Sequence, residues 1–298
     1  MPTALITGGT GLMGKSLILR LKRMGWEVRL VSRRSDANTH SVKWNLGDAF
    51  FPAEALKGVT HLIHLAGAGI ADEPWTAERK LLIEQSRTSI MDSILDAAKA
   101  SGHRFERVVS ASGVGYYGQD TRSVVLDEDS APGKDFLGSC CVAWENAVHQ
   151  FKVVSESTHA VRFGVVLSRE GGAYPRLRKP VSLGLGAVLG SGKQAFPWIH
   201  HTDAVRLLEW ALSASGLPPA INGVAPEQVT HQQFVQQLAK RLRRPLWLPA
   251  VPAWALRLAL GERVILLTEG TPVASKYLLN LGFSFDYSNV VKALEDLG

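Results

Sequence analysis

Four glycines crowd TGGTGLMG at residues 7–14. Gly9, Gly11 and Gly14 fall in the spacing G-x-G-x-x-G, and Gly8, Gly11 and Gly14 fall equally in G-x-x-G-x-x-G. Glycine at these points lets a strand bend sharply into a helix and lets backbone approach a pyrophosphate with no Cβ in the way. The helix N-terminus beyond the turn offers unpaired N–H groups and a partial positive charge to that anion. The chemistry predicted is dinucleotide binding, with Gly8, Thr10, Gly11, Leu12, Met13 and Gly14 as cofactor contacts. The apolar run ALITGG before the turn reads as a strand and GKSLILRLKRMG after it as a helix, the context that the motif requires.

The identity of the dinucleotide turns on the end of the second strand. VRLVS ends at Ser32 and is followed by Arg33 and Arg34, where an NAD site usually carries Asp or Glu. An acid there repels a 2′-phosphate, whereas a guanidinium grips it with two charge-assisted hydrogen bonds. NADP is therefore expected over NAD, held through Ser32, Arg33 and Arg34, with Asp36 nearby working against the assignment.

Other side chains could do chemistry in the middle of the chain. HLIHLAG ends a strand with Leu65, Ala66 and Gly67, where backbone can pass close to the adenosine side of a cofactor. VVSASGVGYYG ends another strand at Ala111 and Ser112 and continues into Tyr116 and Tyr117. His200, in PWIHHTD, has the intrinsic pKa best suited to proton transfer near pH 7. Arg87 on a helix and Arg162 on a strand are candidate anion contacts, Arg162 being otherwise an ion-paired residue at a sheet edge. Lys193 lies in a glycine-rich loop that reads as a substrate cover or a passive linker. Cys140 and Cys141 are neighbours with no second pair, so neither a disulfide framework nor a metal site is expected, and a cytoplasmic setting fits.

The elements that must position these residues alternate. VTHLIHLAG (59–67), FERVVSAS (105–112) and HAVRFGVVLS (159–168) are near-continuous apolar runs, separated by helical stretches at 76–100 and 135–153. That pattern predicts an α/β fold, a doubly wound parallel sheet covered on both faces, over residues 1–168. Residues 169–298 read as a smaller, mainly helical substrate lobe, with a long glycine- and proline-rich loop at 171–197 and a strand near 220–225 that could return to the main sheet. The net charge of +6 is scattered in small clusters, and no apolar run approaches the roughly 20 residues of a membrane span. A small-molecule substrate is expected, with no nucleic-acid or membrane partner, and the oligomeric state stays open.

TGGTGLMG, HLAG and SASGVGYYG, in this order, resemble the extended short-chain dehydrogenase/reductases. GVVLSREGGA, LGLGAVLGSGKQAFPWIHHTD, INGVAP and GFSFDY narrow the resemblance to the YfcH-type epimerase-like family, over essentially the whole chain. The resemblance implies a Rossmann domain with a nicotinamide dinucleotide. It implies substrate contact at Ser112, a catalytic role for Tyr117, and approach of Gly164 and Val165 to the nicotinamide. The wider group continues with Tyr-x-x-x-Lys on one helical face, where the ammonium lowers the phenol pKa so that it can exchange a proton. Here the matching positions in KDFLGSCCVAWE carry Phe136 and Cys140. The face Phe136, Cys140, Trp144, Ala147, Val148 and Phe151 reads as core packing. The expected function is an NADP-dependent oxidoreductase or epimerase-like enzyme of undefined substrate, with a nucleotide sugar inherited only from the wider group. The alternative is a non-catalytic NADP(H)-binding sensor or cell-division-related interaction protein.

Overall fold

A computed structural model describes residues 1–33, 41–45, 47–48, 50–118 and 124–298; Arg34 and Asp36 lie outside the described residues. The first half runs β1 (Thr3–Thr7), α1 (Leu12–Arg23), β2 (Glu27–Ser32), β3 (Ser41–Lys43), β4 (His61–His64), α2 (Ala77–Ser101), β5 (Phe105–Gly113), α3 (Phe136–His149) and β6 (Ser155–Phe163). The second half runs β7 (Val165–Ser168), β8 (Gly171–Gly172), α4 (Ala173–Ser182), β9 (Trp198–His200), α5 (His201–Ala211), β10 (Ala220–Gly223) and α6 (His231–Arg241). Four helices follow: α7 (Ala253–Leu260), α8 (Ile265–Thr268), α9 (Lys276–Asn280) and α10 (Val290–Leu297).

Seven strands form one parallel sheet in the order β10-β6-β5-β4-β1-β2-β3. Every residue of β1 and β4 is buried, as strands covered by helices on both faces must be. The helices carry the expected stops. Thr76 caps α2 by accepting from the Arg79 N–H, and Gly102 ends it at φ +68°.

Two expectations fail for identifiable reasons. The run 159–168 is not one strand. It breaks at Gly164, whose N–H donates to Gly223 O, while the Val165 N–H turns to Pro197 O. A Cβ at Gly164 would lie 2.6 Å from Pro197 O, so only glycine lets the chain change partners there. Beyond it, β7 joins a three-stranded sheet ordered β8-β7-β9. Residues 171–197 are not all loop either, since they contain α4. Pro175 falls in the first turn, where the missing N–H has no partner to lose, and Pro180 falls near the end.

The two largest buried clusters share the chain unevenly. The large one joins the sheet to α1, α2 and α3, and takes Ala204, Val205, Leu207 and Leu208 from α5 and Ile221 from β10. The smaller one gathers Tyr174, Val181, Trp198, Phe234, Leu238 and Leu294 from α4, β9, α6 and α10.

Candidate functional site

The carboxyl end of β1 builds a cradle from backbone. Gly8 sits at φ +70°, and a Cβ there would lie 2.5 Å from the Leu65 carbonyl carbon at the end of β4. A Cβ on Gly14 would lie 2.6 Å from Gly8 O and 2.7 Å from Gly9 Cα, so the first turn of α1 packs directly on the strand. The Gly11 N–H donates to Gly8 O at 3.0 Å, and Gly11 caps α1 without a side-chain acceptor. No acidic residue occupies the first turn of α1, and Thr10 and Gly11 are exposed while Leu12 and Met13 are half-buried. An open helix end of this kind attracts a phosphate oxygen through its free N–H groups and dipole. The cradle fits a dinucleotide.

At the end of β2, Arg33 is exposed and makes no ion pair among the described residues. Ser32 beside it is already engaged. Arg34 lies outside the described residues.

A buried relay ties the cleft floor together. His64 Nε2 meets Arg87 O at 2.9 Å, so this nitrogen donates, and Nδ1 accepts from the Thr7 hydroxyl at 2.6 Å. Burial pushes His64 down to about 3, with the Arg87 carbonyl opposing. Arg87 in turn donates to Ile83 O at 2.6 Å and Ala68 O at 2.9 Å, and it stacks on Trp144 at 4.9 Å. It is buried without a carboxylate partner among the described residues, and burial lowers its pKa. A Cβ on Gly67 would lie 3.0 Å from Arg87 Cζ, so Gly67 lets the guanidinium lie against the loop backbone. The Ala66 N–H reaches Thr7 Oγ1 at 3.4 Å. Arg87 thus fixes Leu65, Ala66 and Gly67 from beneath.

Ser112 and Tyr117 meet in one buried network with Glu145 and Arg162. Ser112 Oγ donates to Glu145 Oε1 at 2.8 Å, and Arg162 grips both Glu145 oxygens at 2.8 Å each. Arg162 Nη1 donates to Tyr117 OH at 3.0 Å, and that hydroxyl donates to Asn222 Oδ1 at 2.7 Å. The Tyr116 ring lies 3.4 Å from the guanidinium carbon. Burial pushes the Tyr117 phenol up to about 12, against the opposing pull of Arg162 and Asn222. This geometry speaks against an acid–base role for Tyr117 near neutrality. Arg162 is ion-paired as one expectation held, but β6 is the second strand in, because β10 covers it. Its charge is spent on Glu145 and not on an anion. Ala111, one residue before Ser112, is buried on β5.

His200 is not brought to this network. Its Nδ1 accepts from the Thr202 N–H at 3.2 Å, capping α5, and its ring stacks on Tyr287 at 3.8 Å. Nε2 lies 3.3 Å from Asp296, and burial lowers the pKa while Asp296 opposes. The neighbour His201, which sequence reasoning passed over, reaches Leu12 O at 3.2 Å and so touches the cradle helix. Gly164 and Val165 form the seam between the two sheets. Lys193 is exposed.

Phe136 and Cys140, the positions that the resemblance matches to Tyr-x-x-x-Lys, take part in packing. Cys140 is buried with Trp75, Ile83 and Leu137, and Phe136, Ile265 and Leu266 close over them. Phe136 meets Trp75 edge-on at 5.1 Å. Burial raises the thiols, Cys141 to about 12. A cavity of about 390 Å³ beside Tyr116, Glu145 and Arg162 is lined also by Pro219 and Ala220, at the start of β10. No metal-ligating cluster occurs among the described residues.

The NAD dependent epimerase/dehydratase family model matches residues 4–222, and a domain of unknown function, DUF1731, matches 251–297. Epimerase family protein Mb2239 of Mycobacterium bovis is 34% identical, covering 97% of this chain and 95% of its own. Epimerase family protein SDR39U1 of Mus musculus is 34% identical, covering 98% of each chain. A crystal structure of human epimerase family protein SDR39U1 with NADPH is 31% identical, covers 99% of this chain and 98% of its own, and superimposes with a TM-score of 0.89. With the glycine cradle at β1 and a family match across most of its length, the chain belongs to the NAD dependent epimerase/dehydratase family.

Proposed function

We propose that the protein is an NADPH-dependent oxidoreductase of a small molecule whose reduction asks for no dedicated Tyr/Lys proton relay. The observation that carries this reading is the acid-free N-terminus of α1 combined with the exposed guanidinium of Arg33 at the end of β2, which makes no ion pair among the described residues. The human relative crystallised with NADPH supports the choice of cofactor. The domain reading of 1–168 and 169–298 is kept as a functional division, with cofactor and substrate on opposite sides of the cleft.

The bound dinucleotide would supply a hydride. Gly8, Gly11 and Gly14 let the backbone hold the diphosphate, and Arg33, with Arg34 from the sequence, holds the 2′-phosphate. Arg87 and His64 keep the β4 end rigid beneath the cofactor. Phe136 and Cys140 exclude water and move no proton. That balance favours quinones or conjugated carbonyls, which can take their proton from solvent, over sugar 4-epimerisation.

The same apolar filling keeps a second reading alive, an NADP(H) sensor without turnover. One experiment separates them. NADPH is titrated into the purified protein, and its absorbance is then followed against aldehydes, ketones and quinones. Saturable binding with oxidation supports the enzyme, and saturable binding without turnover across the panel supports the sensor. Absence of saturable binding removes both.

A further inference from the structure

α7 reads AWALRLAL, seven apolar residues and one arginine, yet none of its residues is buried. Trp254 is 68% exposed and Leu258, one turn on, 83%. Leu183, Leu185 and Trp247 are exposed as well, and Trp247 Nε1 donates to Gly184 O at 3.1 Å, which places these three together. A backbone bridge between Leu189 and Val251 joins the two segments just ahead of α7. An apolar helix left uncovered marks a contact surface.

The two chain segments that carry this face hold charge of one sign. Residues 171–202 contain Arg176, Arg178, Lys179 and Lys193 and no Asp or Glu. Residues 228–261 contain Lys240, Arg241, Arg243, Arg244 and Arg257 and likewise no Asp or Glu. These nine positive charges leave 24 Lys and Arg against 27 Asp and Glu elsewhere, a net −3 for the rest of a protein whose total is +6. Arg176 pairs with Asp72, and Arg178 and Arg241 donate to backbone carbonyls near the C-terminus. Lys179, Arg243, Arg244 and Arg257 make no ion pair among the described residues.

We propose that this face docks on an anionic lipid bilayer surface, with Trp254, Leu258 and Trp247 entering the headgroup boundary and the lysines and arginines meeting lipid phosphates. Aromatic and aliphatic tips ringed by basic residues are what an interfacial helix presents. A second copy of the chain is disfavoured, because a two-fold contact would set this positive field against itself. Single-stranded nucleic acid could stack on Trp247 and Trp254, but the exposed Leu183, Leu185 and Leu258 add aliphatic area that stacking does not use and a bilayer does. The contact is peripheral, since no described helix is long and apolar enough to cross a membrane. It departs from the expectation, drawn from scattered clusters in the sequence, of no membrane partner, and it stands whether or not the cofactor reading holds.

The test floats the full chain with vesicles of phosphatidylcholine alone and of phosphatidylcholine with phosphatidylglycerol, and follows tryptophan emission. The expected result is partition about tenfold or more stronger to the anionic vesicles, falling with salt, with a blue shift. Trp254→Ser with Leu258→Ser, and separately Arg243→Glu with Arg244→Glu, should each remove about tenfold or more of that partition. Thermal unfolding at the wild-type temperature would show both variants folded. Equal partition to neutral and anionic vesicles, or variants that bind like wild type, would overturn the proposal. So would a dimer dissolved by the Trp254/Leu258 pair, or tighter binding to a single-stranded oligonucleotide than to the vesicles.

Discussion

Ser112 and Glu145 are joined by a 2.8 Å hydrogen bond in the interior, and the same carboxylate is clasped on both oxygens by Arg162. The serine that the family resemblance marks for substrate therefore already has an acceptor. Its hydroxyl reaches a substrate only by keeping Glu145 as the proton acceptor and offering a lone pair, or by rotating away.

Glu145→Ala should lower stability by about 3–5 kcal/mol, because it strands a buried guanidinium. Ser112→Ala should cost only about 1 kcal/mol. Urea unfolding of both variants checks the ranking. Near-equal losses would show that Arg162 finds another counter-charge.

Tyr117→Phe removes the donor to Asn222 and the acceptor for Arg162. It should cost about 1–3 kcal/mol, with substrate turnover changed little. A well-folded Tyr117→Phe protein with abolished turnover would restore the phenol to the chemistry.

Arg33→Ala should weaken NADPH by about tenfold or more while leaving NADH nearly unchanged, since only the former carries the phosphate the guanidinium holds. Adding Arg34→Ala should widen the gap. Fluorescence titration with both nucleotides reads it, and parallel losses would place the arginines elsewhere.

Gly8 and Gly25 both have positive φ, at +70° and +81°. Alanine at Gly25 meets nothing within 4 Å, so it should cost about 1 kcal/mol of backbone strain and leave nucleotide affinity intact. Alanine at Gly8 collides with the Leu65 backbone and should abolish NADPH binding. Calorimetry on the pair separates strain from collision.

His64 predicts an acid limb. Its folded value of about 3 lies below the ordinary 6.5, so the unfolded chain takes up the proton first as pH falls. The stability it contributes is complete above about pH 6.5 and is lost toward pH 3 at up to about 1.4 kcal/mol per pH unit. His231, pushed down to about 4 by burial, adds to the same limb. His64→Gln should be less stable at pH 7 and visibly flatter between about pH 6 and about pH 4 in denaturant titrations. An unchanged slope would mean that acid sensitivity comes from other groups.

The sheet was readable because β1, β4 and β5 are apolar runs bounded by glycine or small residues, and the close backbone approach at residues 7–14 was readable from the glycine spacing. Packing of Phe136 and Cys140 was readable too, because they repeat at helical spacing with Trp144, Ala147 and Val148. The Ser112–Glu145–Arg162–Tyr117 network was not, since its members are 17 to 45 positions apart where they touch and only folding unites them. The setting of His200 was not readable either, since only the fold brings Tyr287 and Asp296 against its ring. Gly164 hid a change of sheet, because a glycine inside an apolar run looks the same whether the strand continues or switches partner.

β10 has a consequence for how the molecule is made. The flank of β6 stays without a neighbour until residues 220–223 have been synthesised, and α5, needed to seal the same core, precedes them only slightly. A nascent chain halted near residue 168 would therefore carry a bare ladder of amides and carbonyls open to any passing strand. The polypeptide must finish most of its translation before residues 1–168 can settle, and limited proteolysis should find no fragment of that extent that survives by itself.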